Sequence, residues 1–180
     1  MMNKSKQDEF ERTFLVRYLP SDLTSCRSKE IHDIYIPYDV SHCKLRLRKS
    51  GDVIEMTKKE RALEHEGSHL HEYTIPLTAA EFDALRVIKG KEVRKIRYYY
   101  NSDDVVYEVG VFQDLLLGLV VVDVEFESKK SMLTFQPPEW LLTEVTEEDF
   151  LAGGELCGKS YSDISPRLEN LSYNPIFTIL

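Results

Sequence analysis

The chain has 180 residues, 42% of them hydrophobic and 30% charged, and a formal net charge of −8. That length fits one domain with a sizeable core, and the composition is globular rather than disordered. The acid excess excludes broad nucleic-acid binding, which needs a basic surface, but leaves room for a local basic pocket. Three cysteines, Cys26, Cys43 and Cys157, match neither a disulfide framework nor a CxxC knuckle, so reduced thiols are expected. The opening MMNKSKQDEF lacks an apolar h-region, and the longest apolar run, 115–122, is too short to span a bilayer. A soluble, cytoplasmic protein is expected, with neither nucleic acid nor membrane as a partner.

EFERTFLV, starting at Glu9, alternates and is rich in β-formers, so it reads as the first strand. Ser21 to Lys29 is polar and reads as a short helix or loop. Glu30 to Ile36 is a second strand that stops at Pro37. Lys44-Leu-Arg-Leu-Arg-Lys alternates cleanly, Ser50-Gly-Asp signals a hairpin, and Val53 to Lys59 returns. Arg61 to His69 is charged without periodicity and reads as a long solvated turn before a fifth strand, His71 to Leu77. Thr78-Ala-Ala-Glu81 is a capping box ahead of Phe82, Leu85, Val87 and Ile88, which predicts an amphipathic helix ending near Gly90. Strands follow at Val93 to Tyr100, Val105 to Phe112 and Leu119 to Glu127. Ser128 to Phe135 reads as a short helix ended by Pro137-Pro138, Trp140 as a core anchor, and the chain from Tyr161 as a polar and aromatic tail.

About eight strands with short connections predict an α+β fold, an eight-stranded antiparallel β-barrel with helices packed on the outside. The expected organisation is a flexible N-terminus at 1–8, a single domain at 9–160 and a C-terminal tail at 161–180.

Residues two apart on a strand share a face. Glu9/Glu11 and Asp123/Glu125 are therefore paired acids, and Arg46/Arg48 and Lys95/Arg97 paired cations, with Lys58/Lys59 adjoining. Leu45/Leu47 and Arg94/Ile96/Tyr98 take the other faces of their strands. A barrel covered outside by helices is free to carry charge inside, and such a lining suits a metal and a polyanion.

Five stretches resemble, in order, the motifs of the CYTH family, the triphosphate tunnel metalloenzymes. EFERTFLV is similar to the opening E-x-E-x-K-F-L-V strand, and KLRLRKSGD with EMTKK to the R-x-R hairpin and its return-strand lysine. VRKIRY resembles the K-x-R strand, VVVDVEF the closing carboxylate pair and PPEWLLTEVTEEDF the C-terminal segment. The resemblance implies an eight-stranded tunnel open at its ends, in which carboxylates bind Mg²⁺ or Mn²⁺ and cations bind a triphosphate. It assigns Glu9, Glu11, Asp123 and Glu125 to the metal, and Arg46, Arg48, Lys59, Lys95 and Arg97 to the substrate. Glu72 and Glu108 fall where the family places further tunnel acids, which would orient water or a second metal. Lys59 is chosen over Lys58 because it shares parity with Glu55 and Thr57.

The activity implied is metal-dependent hydrolysis of inorganic triphosphate or another small organic or nucleoside triphosphate. Two alternatives use the same residues: adenylyl cyclisation, and polyphosphate or nucleotide binding without turnover. The sequence departs from the family pattern at Thr13 (a lysine in the motif), at Leu70 and Thr74 around Glu72, at Gly110, at Asp123 and along Gly153 to Ser160. His65, His69 and His71 sit in a polar turn and read as solvated rather than as a metal cluster, and Tyr98, Tyr99 and Tyr100 as packing rather than a base-stacking platform.

Overall fold

The computed structural model describes residues 7–40, 45–61 and 69–177, with side chains described at 10–40, 45–58 and 73–177. Among the described residues nine strands occur: β1 Gln7–Val16, β2 Ser28–Ile36, β3 Leu45–Ser50, β4 Val53–Arg61, β5 His69–Pro76, β6 Lys91–Ser102, β7 Val105–Phe112, β8 Val120–Phe126 and β9 Leu141–Glu144. Four short α-helices join them, α1 Ala79–Leu85, α2 Lys129–Thr134, α3 Gly153–Leu156 and α4 Tyr161–Asn170. The strands form one antiparallel sheet in the order β5-β4-β3-β2-β6-β7-β8-β1-β9.

β1 has three partners. It pairs with β5 through Gln7–Phe10, with β8 through Phe10–Leu15 and with β9 through Phe14–Val16. A strand has two hydrogen-bonding edges. Since β8 holds one of them, β9 takes up the other where β5 leaves it. This is the ninth strand that the eight-strand reading misses; only four residues long, it lacks enough alternation to stand out.

The predicted hairpin turns at Gly51, whose φ of 59° suits glycine. The predicted capping box opens α1: Thr78 Oγ1 accepts from the Glu81 amide, and Glu81 accepts from the Thr78 amide. Phe82 of that helix packs on Ile34, Ile36 and Leu47, on one face of β2 and β3. A larger apolar cluster covers the opposite face of β1 and β6–β8 and reaches one end of the charged face, and in it Trp140 meets Tyr107 and Tyr100 edge-on. Tyr98 is buried there too, so two of the three consecutive tyrosines pack as the sequence predicts.

The expected tail from Tyr161 is instead opened by α4, whose Ile164 and Leu168 are buried. Beyond it, Tyr173 donates its hydroxyl hydrogen to the Gly118 carbonyl and accepts from the Val120 amide, both at 2.8 Å. No helix among the described residues is long and apolar enough to cross a membrane.

Candidate functional site

Directly opposed residues on neighbouring strands share a face, so the register carries one face across the sheet. Glu11 lies opposite Glu125, and Thr13 opposite Asp123; Asp123 in turn lies opposite Glu108. Two residues on, Gly110 lies opposite Arg97. Arg97 and Lys95 face Lys29 and Ile31 of β2, and on that same face Asp33 lies opposite Arg48. Arg46 pairs with Thr57, Lys59 with Glu72 and Glu72 with Gln7, which returns to the face of Glu9 and Glu11. The eleven residues singled out from sequence occupy this one face by register. Glu9, Lys59 and Glu72 do so by their backbone alone, their side chains lying outside the described residues, as do those of His65, His69 and His71. Lys58, with opposite parity, is exposed.

On the β2–β3 part of the face, Arg48 donates from Nε and Nη2 to the two carboxylate oxygens of Asp33, each at 2.7 Å. Asp33 is only 3% exposed. Burial is the largest influence on its carboxyl and pushes the pKa up, but the hydrogen bonds and charge of Arg48, with Arg46 and Lys95, hold it below the ordinary aspartate value. Arg48 is correspondingly raised by Asp33 against the effect of its own burial. Arg46 Nε lies 4.0 Å from Asp33 Oδ1, too far for a hydrogen bond. Buried, it has no acceptor among the described residues, and Arg97 Nε is in the same condition. Burial, and then repulsion by Arg97, bring the Lys95 pKa down to about 8.

On the β1–β7–β8 part, Arg97 pairs through Nη1 with Glu108 and through Nη2 with Asp123 at 3.5 Å. Thr13, where the family motif has lysine, donates its hydroxyl to Asp123 Oδ1 at 3.1 Å. Gly110 leaves room for a cation: a Cβ there would lie 3.1 Å from Lys95 Cδ and 3.3 Å from its Nζ. Two departures from the family pattern thus have local partners on the same face.

Asp33 is a buried charged residue of this face that sequence reasoning misses. The available signal was an ionisable side chain two residues from both Ile31 and Tyr35 on a single strand face.

The face is not charged throughout. Towards one end of the strands the same-face residues become Leu15, Val121, Phe112, Val93 and Tyr35, all buried in the larger apolar cluster with Phe150, Leu151, Leu156 and Cys157. The start of α3 abuts them so closely that a Cβ on Gly153 would sit 2.1 Å from the Tyr35 hydroxyl. That end is apolar on five strands, where the resemblance implies an open tunnel mouth.

No family model matches the chain. An inorganic triphosphatase of Nitrosomonas europaea is 33% identical over 147 residues, 78% of this chain and 90% of that protein. The chain belongs to the CYTH family. A solved inorganic triphosphatase structure superposes with a TM-score of 0.60 at 29% identity, covering 83% of this chain and 93% of that one. The CYTH fold extends to a Bacillus halodurans structure described as a candidate adenylate cyclase, at TM-score 0.55 and 16% identity, over 97% of this chain and 95% of that one.

CYTH proteins are metalloenzymes, and the donor chemistry here suits a hard divalent cation. Glu11 and Glu125 are directly opposed carboxylates, with Asp123 two residues along on the same face. Among the described residues no three His, Cys, Asp or Glu side chains converge as a metal cluster. Glu9, the fourth member of the expected set, lies outside the described side chains.

Proposed function

We propose that the charged face lines a tunnel in which the chain hydrolyses a short triphosphate, inorganic triphosphate first, with a divalent cation. β1 pairs with both β8 and β5, the two ends of the seven-strand series β5-β4-β3-β2-β6-β7-β8, which supports an enclosed face. The observation that carries the substrate class is the pair of buried guanidinium Nε donors, on Arg46 and Arg97, without acceptors among the described residues. An unmade buried hydrogen bond to a charged group is costly, and phosphate oxygens would supply both acceptors.

Arg46, Arg48, Lys95 and Arg97 would bind and neutralise the phosphate chain, with Lys59 adjoining by register. Arg48 keeps Nη1 and one Nη2 hydrogen for phosphate while its Nε edge is held by Asp33. Glu108 holds Arg97, and it and Glu72 are the acids that would orient the attacking water. That water enters in line at the terminal phosphorus and pyrophosphate leaves, a reaction governed by positioning and charge neutralisation. A divalent cation held by Glu11 and Glu125, with Glu9 and Asp123 adjoining, would neutralise charge on the phosphate oxygens. The apolar end favours a short chain approaching from the other side.

The test is phosphate release from inorganic triphosphate, thiamine triphosphate and ATP, with Mg²⁺, Mn²⁺ or chelator, and product analysis for cyclic AMP. Metal-dependent release, strongest with inorganic triphosphate, is expected. Absence of release from every triphosphate would overturn the reading.

A further inference from the structure

We infer that Asp33 is a positioning residue, setting the orientation of Arg48 in the substrate site. The inference rests on reading the charged face as a triphosphate site. Register puts the two residues directly opposite on β2 and β3. Two bonds of 2.7 Å, from Nε and Nη2, fix the plane of the guanidinium as a single bond could not. Both partners are almost wholly enclosed, with side-chain exposures of 13% for Arg48 and 4% for Asp33.

The arrangement runs against what electrostatics alone would choose. An acid buried among Arg46, Arg48 and Lys95 cancels positive charge where a polyanion is to bind. If charge were the only concern, an apolar residue at position 33 would give a stronger anion trap. The acid instead removes rotational freedom from a long side chain before substrate arrives, leaving Nη1 and the second Nη2 hydrogen as a fixed donor pair. It also separates two roles for neighbouring arginines. Arg48 is anchored, whereas Arg46, 4.0 Å from the same carboxylate, has its Nε unfilled.

The experiment is a double-mutant cycle of Asp33→Asn and Arg48→Lys in the full chain, read as kcat, KM and the Kd for inorganic triphosphate, with melting temperature as control. Asp33→Glu is the second variant should Asp33→Asn fail to fold, since it keeps the charge and shifts the carboxylate by one methylene. A displaced binding group costs on the order of tenfold or more. Asp33→Asn is therefore expected to raise KM and Kd about tenfold with a smaller change in kcat, and Asp33→Glu to weaken binding as well. In the Arg48→Lys background, where no fork remains to be held, Asp33→Asn should add less than about twofold. Tighter binding by Asp33→Asn would mean that its charge, not its geometry, matters, and would overturn the inference. Multiplicative effects in the double variant, or unchanged KM and Kd in folded single variants, would overturn it equally. Should the wild type bind triphosphate without hydrolysing it, the proposed activity fails alone and the cycle is read on Kd. Should it bind none, both fall.

Discussion

The two walls of the charged face solve the same problem with opposite signs. On β2, β3 and β6, Arg46, Arg48 and Lys95 surround one acid, Asp33. On β1, β7 and β8, Glu108 and Asp123 share one cation, Arg97, with Glu11 and Glu125 opposed beside them. Like charges directly across a ladder repel, and buried charges without partners are strongly destabilising. Among the described residues, Asp33 on one wall and Arg97 on the other are counter-ions that hold neighbouring side chains in place. The proposed function gives phosphate to the cationic wall and a metal to the acidic wall, two roles that substitutions can break separately.

The largest effect should come from the acidic wall. Glu125→Gln keeps the volume and removes a charge directly opposite Glu11. Metal-dependent turnover should fall by about a hundredfold or more, and any Mg²⁺- or Mn²⁺-induced rise in melting temperature should shrink, while the apoprotein stays folded. Retention of both activity and metal stabilisation would remove Glu125 from the metal site.

On the cationic wall, Arg48→Ala deletes a charge-assisted fork worth about 1.5–3 kcal/mol. Triphosphate affinity should fall correspondingly, by about 10- to 150-fold, and calorimetric titration measures it. Because Asp33 is left buried without its main partner, a lower melting temperature is also expected. Unchanged affinity would take Arg48 out of the site.

The pH dependence of the cationic wall follows from Lys95, whose pKa in the free protein lies near 8 rather than 10.5. Between those values the folded chain holds fewer protons than the unfolded one, so this group's contribution to stability rises with pH. Anion binding runs the other way, because Lys95 loses its charge. Affinity for inorganic triphosphate should weaken severalfold from pH 7 to pH 9, and Lys95→Met should flatten that profile. An equally steep profile in the variant would assign the titration elsewhere.

The smallest expected effect is that of Gly110→Ala. Its Cβ would crowd the flexible end of Lys95 at 3.1–3.3 Å and the less yielding Val121 carbonyl at 3.3 Å. Displacing Lys95 should weaken triphosphate binding about two- to fivefold, with turnover at saturation nearly unchanged. A larger loss in kcat than in affinity would show that Gly110 serves the acidic wall instead.

Several elements were legible from local pattern. The capping box at Thr78 and Glu81, the hairpin at Gly51 and the clean alternation of Leu45 to Lys49 each depend on neighbours within a few residues. The C-terminal segment was harder to read. Helix α4 contains Pro166 and much polar surface, so its periodicity is weak, although Ser160 and Asp163 form a capping box that could have announced it. Strand β9 needs the edge of β1 that β5 vacates, a feature with no local signature.

Alternation, by itself, determined which residues of each strand share a face, because successive side chains on any extended strand point to opposite sides. It thereby grouped Arg46 with Arg48, Lys95 with Arg97, and Asp123 with Glu125. Only the tertiary structure decided which of these groups meet, because register between distant strands is set by non-local pairing and burial. That register puts Asp33 against Arg48, Arg97 between Glu108 and Asp123, and Lys95 over Gly110. It also turns one end of the same face apolar, where the C-terminal residues Phe150 to Cys157 pack against Tyr35 and Phe112.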